Sequence, residues 1–382
     1  MSIHRAFSRV SVILVGGLLL AACGGSAAPA SSAPAASASS KPAAASPSAA
    51  SAKPSAPASA KPATSASAKP AGSAAAVPGP NLKGMDFKMT LGAGAPHVAD
   101  SETYIVVQML KKWGATANLT LGSGNTPTLA VVSGQEEVVA QGLSEMINAG
   151  LTIIGPNQPH VDYVMVSKSL KSVDQLPGHT FGLGGTKQGI DAVLLHAVLA
   201  LHKIPVDKVQ EVEIGSVANA VNAMIAGKLD AAFIHADTVK KAQQQGGLNI
   251  LATASKDVSW SADSFMAAKP DWLKANHAKA VAIDEAYLAA AKIFNNDPKQ
   301  WIAYAQEYTQ HANTDQVISD AHDLFKTSNL WPDDAAAYSA AVLQRNWDAA
   351  NTMKDIQGRG NRPLAQWSDV TAWQEAAKAM LQ

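Results

Sequence analysis

From Gly24 to about Pro80 the chain is almost entirely Ala, Ser, Pro and Lys, with Ser-Ala-Lys-Pro recurring at Ser51, Ser59 and Ser67. A segment with regular prolines and no apolar periodicity cannot bury enough surface to offset the entropy of ordering it. Residues 24–80 are therefore expected to be a disordered linker, spanning on the order of 40 Å as a flexible coil. The repeat is not a solenoid, because its unit holds no large apolar residue to stack on the next. Folding is left to residues 81–382, about 300 residues and enough for two lobes.

The charge follows the same division. The whole chain balances 30 Lys and Arg against 30 Asp and Glu, yet residues 1–80 hold six bases and no acid. Residues 81–382 therefore carry 24 bases and 30 acids, a net −6. A mildly acidic body lacks the clustered positive charge that phosphate backbones require, so nucleic acid is not expected as a partner. A single cysteine, Cys23, excludes a disulfide framework, a Cys-rich zinc site and an iron–sulfur cluster. Neither a cofactor nor a metal is expected.

Arg5 and Arg9 precede the apolar run Val10 to Leu20, which ends in Ala21, Ala22 and Cys23. The run is too short to cross a bilayer as a helix, which needs about 20 apolar residues, and residues 1–23 read as a signal peptide. Leu20-Ala21-Ala22-Cys23 resembles the bacterial lipobox. That resemblance implies a lipoprotein: Cys23 is acylated and becomes the mature N-terminus. The expected location is extracytoplasmic, anchored to the cell membrane by an N-terminal lipid, and more than one acyl chain is needed for a stable hold.

Residues 81–382 alternate strand and helix patterns. Asp86 to Leu91 alternates and runs into Gly92-Ala93-Gly94-Ala95-Pro96, after which Ser101 to Trp113 has helical spacing. Further strands are expected at Ala117 to Leu121, Glu137 to Ala140, Tyr163 to Ser167, Thr180 to Leu183, Val209 to Ile214, Ala231 to Ile234 and Leu248 to Ala252. Helices are expected at Thr126 to Ser133, Ile190 to His202, Val217 to Ala226 and Thr238 to Gln245. This order is that of an α/β protein. Beyond Pro270 the pattern turns helical, at Asp271 to Phe294, Pro298 to Tyr308, Thr314 to Lys326, Pro332 to Met353 and Val370 to Leu381. Seven of the eight tryptophans lie at or after Trp260 and are expected to pack between these helices.

The order of these pieces resembles the substrate-binding proteins of ABC importers, in the branch that includes nitrate, taurine, alkanesulfonate and thiamine-precursor binders. The resemblance is carried by Leu129 to Gln135, Val164 to Gly182, Ala223 to Ala232 and Lys269 to Leu273, and it covers most of residues 84–310. The chain departs from that branch at Glu136-Glu137, where an aspartate is common, and lacks its Gly-Tyr-Phe region. The resemblance implies a two-lobed, periplasmic-binding-protein-like (type 2) fold with a helical C-terminal region. It places lobe 1 at about 84–165 plus 266–382 and lobe 2 at about 166–265, hinged near Tyr163 to Ser167 and Asp257 to Phe265. The partners it implies are a small polar or anionic organic solute, a permease and an ATPase.

In such a fold the ligand meets strand ends and helix N-termini. The candidate ligand-binding residues are therefore Pro96, His97, Gly124, Asn125, Thr126, Gly142, Ser144, Gly185, Thr186, Lys187, Gln188, His235 and Asp237. Lys187 is the one full positive charge among them. Each has a structural alternative: Gly184 to Gly189 as a turn into a helix, His97 as an exposed loop residue, and Asn125, Thr126, His235 and Asp237 as helix caps. The loops hold no Tyr, Phe or Trp, which weighs against a flat aromatic ligand.

Catalysis has little support in the sequence. There is no HExxH and no Gly-x-Ser-x-Gly elbow, and His196 and His202 lie off one another's helix face. Glu136-Glu137 reads as a solvated edge. The expectation is a binding protein and not an enzyme, with an exported ligand-sensing or scaffold lipoprotein, uncoupled from transport, as the alternative.

Overall fold

The computed structural model describes residues 78–187, 189–352 and 363–381. The signal peptide, Cys23, the linker up to residue 77 and Gln188 lie outside the described residues.

The first half runs β1 (Asp86–Leu91), α1 (Ser101–Lys112), β2 (Thr116–Leu121), α2 (Thr126–Ser133), β3 (Val138–Gln141), α3 (Leu143–Asn148), β4 (Thr152–Gln158), β5 (Tyr163–Ser167), β6 (Thr180–Leu183) and α4 (Ile190–Leu201). It continues with β7 (Gln210–Glu213), α5 (Val217–Ile225), β8 (Ala231–His235), α6 (Ala236–Gly246), β9 (Asn249–Thr253), α7 (Ala254–Asp257) and β10 (Ser264–Ala268). Helices α8 (Pro270–Ala275), α9 (His277–Asn296), α10 (Pro298–Tyr308), α11 (Asp315–Thr327), α12 (Ala340–Thr352) and α13 (Thr371–Met380) complete the chain.

The strands form two five-stranded sheets, in the orders β2-β1-β3-β10-β4 and β7-β6-β8-β5-β9. In each sheet three strands are parallel, and one further strand runs antiparallel between two others: β10 between β3 and β4, and β5 between β8 and β9. The chain passes from the first sheet to the second between Gln158 and Tyr163 and returns before Ser264. β5 is thus a strand of the second sheet, and the first crossing precedes the boundary expected at about residue 165.

Sequence periodicity explains most of these elements. Strand β3 is Val-Val-Ala-Gln and buried throughout, as a central strand covered on both faces must be. On α1, Ile105, Val106, Met109 and Leu110 form one buried face. α2 stops where Gly134 adopts the left-handed conformation at φ 82°, which an L side chain would resist. Ser216, Asp297 and Thr314 accept amide hydrogen bonds at the starts of α5, α10 and α11.

The C-terminal helices stack on the first sheet. α9 packs against α1 and α13, and Trp301, Trp331, Trp367 and Trp373 are fully buried. Trp301 and Trp331 meet Phe294 edge to face at 5.4 and 4.9 Å between centroids, a favoured aromatic geometry. α12 reaches both lobes by touching α3 and α4, and its Asn346 side chain accepts the Ala262 amide at 2.9 Å.

Three expectations change. The single helix from Asp271 to Phe294 is two, broken at Asn276 (φ −131°, ψ 32°). The helix expected from Pro332 begins at Ala340, after a 3-10 turn at Ala335–Ala337 capped by Asp334, and Met353 lies outside the described residues. β4 and α3 went unread; β4 holds Gly155 and Pro156, both strand breakers, yet it is an edge strand, where proline is tolerated.

Gly155 is required by close packing. A Cβ built there would lie 2.0 Å from Asp284 Oδ1 on α9. Gly155→Ala should therefore destabilise the protein by about 1–3 kcal/mol through overpacking, read as a lower urea midpoint.

Candidate functional site

A cavity of about 590 Å³ lies between the two lobes. The first lobe contributes the loop from Gly92 to His97 after β1, Gly124 before α2, and Gln141, Gly142 and Glu145 after β3. The second contributes Gly184, Gly185 and Asp191 after β6, Ser216 and Asn219 at the start of α5, and His235 at the end of β8. Tyr163, Asp263 and Ser264, beside the two crossings, complete the lining.

Of the residues singled out from sequence, Pro96, His97, Gly124, Gly142, Gly185 and His235 line this cavity. Asp237 stands behind His97, with 3.4 Å between Nε2 and its Oδ2. Thr186 donates a 2.9 Å hydrogen bond from its hydroxyl to Glu145 Oε1, from one lobe to the other. Ser144 is buried in the first turn of α3, its hydroxyl without a partner, beside a smaller pocket shared with Asp263 and Asn346. Asn125 and Thr126 are exposed at the start of α2, and Asn125 makes no side-chain cap there. Lys187 is exposed and absent from the lining.

The lobes meet closely across the cleft. A Cβ at Gly142 would lie 3.6 Å from the Ile190 amide nitrogen of the opposite lobe. The His97 and His235 rings stack at 4.4 Å, and Tyr163 packs on His235 at 4.5 Å. The binding loops hold no large aromatic, but Tyr163 supplies one from a strand.

His235 is held by Asp162. Its Nδ1 lies 3.0 and 3.2 Å from the two carboxylate oxygens, and both residues are buried. Burial alone would lower this histidine's pKa. The charge of Asp162 and its hydrogen bond, with Asp100 and Asp237 beyond, outweigh burial and raise it to about 10. His97 goes the other way: burial first, then the charge of His235, hold it well below the usual histidine value.

Five carboxyls around the cavity are shifted upward, chiefly by burial. Asp100 and Asp191 rise to about 6, Glu145 and Asp237 to about 7, and Asp263 to about 8. In the loop after β6 the backbone donors expected to receive an anion are meanwhile occupied by the chain itself. Gly184 and Gly185 donate their N–H groups to Asp191 Oδ2 at 2.6 and 3.2 Å, Lys187 donates to Glu213 at 2.7 Å, and Gly189 to the Thr186 carbonyl at 3.0 Å.

Glu145, Asp191, Asp263, Asp100 and Tyr163 were missed. Asp191 sits in the first turn of α4, where an acid commonly offsets the helix dipole, so only its hydrogen bonds to the glycine turn mark it out. Glu136 and Glu137 were read as a solvated edge. Glu137 is instead half-buried and pairs with Lys279 on α9 at 2.7 Å.

Residues 121–301 match the family model described as NMT1/THI5 like. None of the curated proteins matches the chain. Among solved structures, the ligand-binding component of an ABC-type import system from Staphylococcus aureus, with zinc bound, aligns with a TM-score of 0.63 at 11% identity, over 77% of this chain and 99% of its own. The periplasmic aliphatic sulphonate-binding protein SsuA of Escherichia coli aligns at 0.56 and 18%, over 73% and 92%. The periplasmic nitrate-binding protein NrtA of Synechocystis aligns at 0.55 and 12%, over 78% and 90%. At these identities the likeness is one of fold: this chain has the two-lobed, type 2 fold of the periplasmic binding proteins, and the sequence resemblance agrees with it.

Proposed function

We propose, from the fold shared with periplasmic binding proteins, that this chain is the extracytoplasmic solute-binding component of an ABC importer. In this reading it is a binder and not an enzyme: the lobes close over a small polar solute and deliver it to a permease driven by a cytoplasmic ATPase. The observation that carries the reading is the cavity of about 590 Å³ between two lobes joined by two crossings, within the size range of small-molecule sites. Closure would be a hinge motion about the segments near Tyr163 and Asp263, and the Thr186–Glu145 and His97–Asp237 contacts are among those that opening would break. The test is thermal denaturation of the full chain against a panel of small solutes. A solute at about 100 times its Kd should add about 2.7 kcal/mol, and failure of every solute to shift the transition counts against the reading.

Lipid anchoring at Cys23 is part of the same proposal, with residues 24–80 as the tether. Cys23→Ala should abolish incorporation of labelled fatty acid into the protein; a variant that still takes up the label removes the anchor from Cys23. Lys187, though charged, lies outside the lining. Lys187→Ala should change solute affinity less than about threefold, as for a surface substitution worth about 0.5 kcal/mol, and a larger loss by calorimetry would return it to the site.

A further inference from the structure

The cleft lining holds four carboxyls, Asp100, Glu145, Asp191 and Asp263, and no lysine or arginine among the described residues. Its one strongly basic group, His235, is already matched to Asp162. We propose that the cleft takes a small organic cation, whose positive charge is balanced by Glu145, Asp191 and Asp263. This rests on the solute-binding reading above and names the class of its solute.

Two buried oxygens carry the inference beyond a count of acids. Asp191 and Asp263 are 4% and 9% exposed, and Oδ1 of each has no hydrogen-bond partner. Both oxygens are closed off from the open cleft, and leaving a buried acceptor unsatisfied costs about 1–3 kcal/mol, and more for a charged one, so a solute donor toward which either carboxyl turns would recover that cost. The three acids come from separate parts of the fold: Glu145 from α3, Asp191 from α4 of the other lobe, and Asp263 from the return crossing. A cation between them would draw the lobes together.

The alternatives fit less well. An anion at the glycine turn would meet the Asp191 carboxylate, which already takes the Gly184 and Gly185 amides, and the Asn219 amide at the start of α5 is taken by the Ser216 hydroxyl. For a bare metal ion, no group of three or more His, Cys, Asp or Glu side chains able to hold one exists among the described residues. A diamine, or a guanidinium joined to an amine, spreads its N–H donors over several ångströms, which suits separated carboxylates.

The proton balance gives a signature. Burial keeps Glu145, Asp191 and Asp263 partly protonated at neutral pH, and Asp191 also repels Glu145. Around them stand Asp100, Asp162, Asp237, His97, His235 and Tyr163. A bound cation favours the carboxylates, so binding releases protons and tightens as pH rises.

The experiment is titration calorimetry on the full chain in detergent with ethanolamine, putrescine, agmatine, methanesulfonate, nitrate and zinc chloride. The expected result is binding of at least one amine, about tenfold tighter at pH 8 than at pH 6, and weakened about tenfold or more by Asp263→Asn or Asp191→Asn. Binding of methanesulfonate, nitrate or zinc without any amine overturns the cation assignment and leaves the solute receptor standing. Silence from every probe with folded protein counts against the receptor reading, and the cation assignment falls with it. Free Asp263→Asn should melt no lower than the parent chain, because a buried acid with one oxygen unsatisfied is replaced by a neutral amide that can keep the hydrogen bond to Ser264; a drop of several degrees would make that carboxylate structural and overturn its role.

Discussion

Asp162→Asn should cost the protein about 3 kcal/mol or more near pH 7, because it leaves a buried imidazolium without its counter-charge. His235 ends β8 and its ring lies between Tyr163 and His97, at 4.5 and 4.4 Å, with little water to stabilise a charge. What keeps it charged is Asp162, 3.0 Å from Nδ1 on the connection between the lobes. Without that carboxylate, burial becomes the dominant influence and the histidine, now raised to about 10, should titrate below the ordinary histidine range. Deprotonation limits the loss, so the cost should be greater at pH 5 than at pH 8. Urea denaturation at both values and the His235 ring resonances through a pH titration would measure the two effects. Unchanged stability with His235 still charged at pH 8 would show that other acids hold the imidazolium. The pair also ties the end of β8 to the residue before Tyr163, so the variant should loosen the cleft floor and weaken solute binding along with stability.

The fold was more legible than the site for a physical reason. Strand and helix periods are local, and so are their stops: Gly134 closes α2 at a positive φ, and Ser216 caps α5 with its own hydroxyl. Burial of Trp301 and Trp373 followed from their size and helical setting, and that of Trp331 and Trp367, which lie in turns, from their size. β4 was hidden by its Gly155-Pro156 pair, which only its edge position makes tolerable. At the site, glycine loops were visible because turns have composition, and six of the chosen residues line the cavity. The acids were not visible. Asp191 sits in the first turn of α4, where sequence alone suits it to the helix dipole, and Glu145 lies on α3, a short helix that the apolar pattern did not disclose. Their burial arises only when the opposite lobe and α12 cover the cleft, which no local window contains.

Those buried acids should make the unliganded protein lose stability as pH rises from about 6.5 to 8.5. Unfolded carboxyls lose their protons near pH 4, whereas in the folded chain Asp100 and Asp191 hold theirs to about 6, Glu145 and Asp237 to about 7 and Asp263 to about 8. Glu102 and Asp284, buried with both carboxyl oxygens unpartnered, are raised well above the usual range by burial. The folded state binds more protons, so stability falls with pH until each folded pKa is passed. His235 acts in the same direction: its contribution is full below the ordinary histidine pKa and is lost as pH rises through about 10. His97 and His160, both lowered mainly by burial, oppose this only below about 6.5, where the unfolded chain would protonate them. Each unit of displacement corresponds to about 1.4 kcal/mol, and because neighbouring acids share protons the sum is smaller than independent sites would give. A fall of about 3 kcal/mol, or a Tm lower by roughly 6 °C, is the expected size across that interval. Calorimetry at pH 6.5, 7.5 and 8.5 would measure it, and a Tm that is flat or rising would mean that these carboxyls ionise freely in the fold. A cation in the cleft should reverse the trend at the alkaline end, since it favours the ionised acids, while an anion of equal size should not.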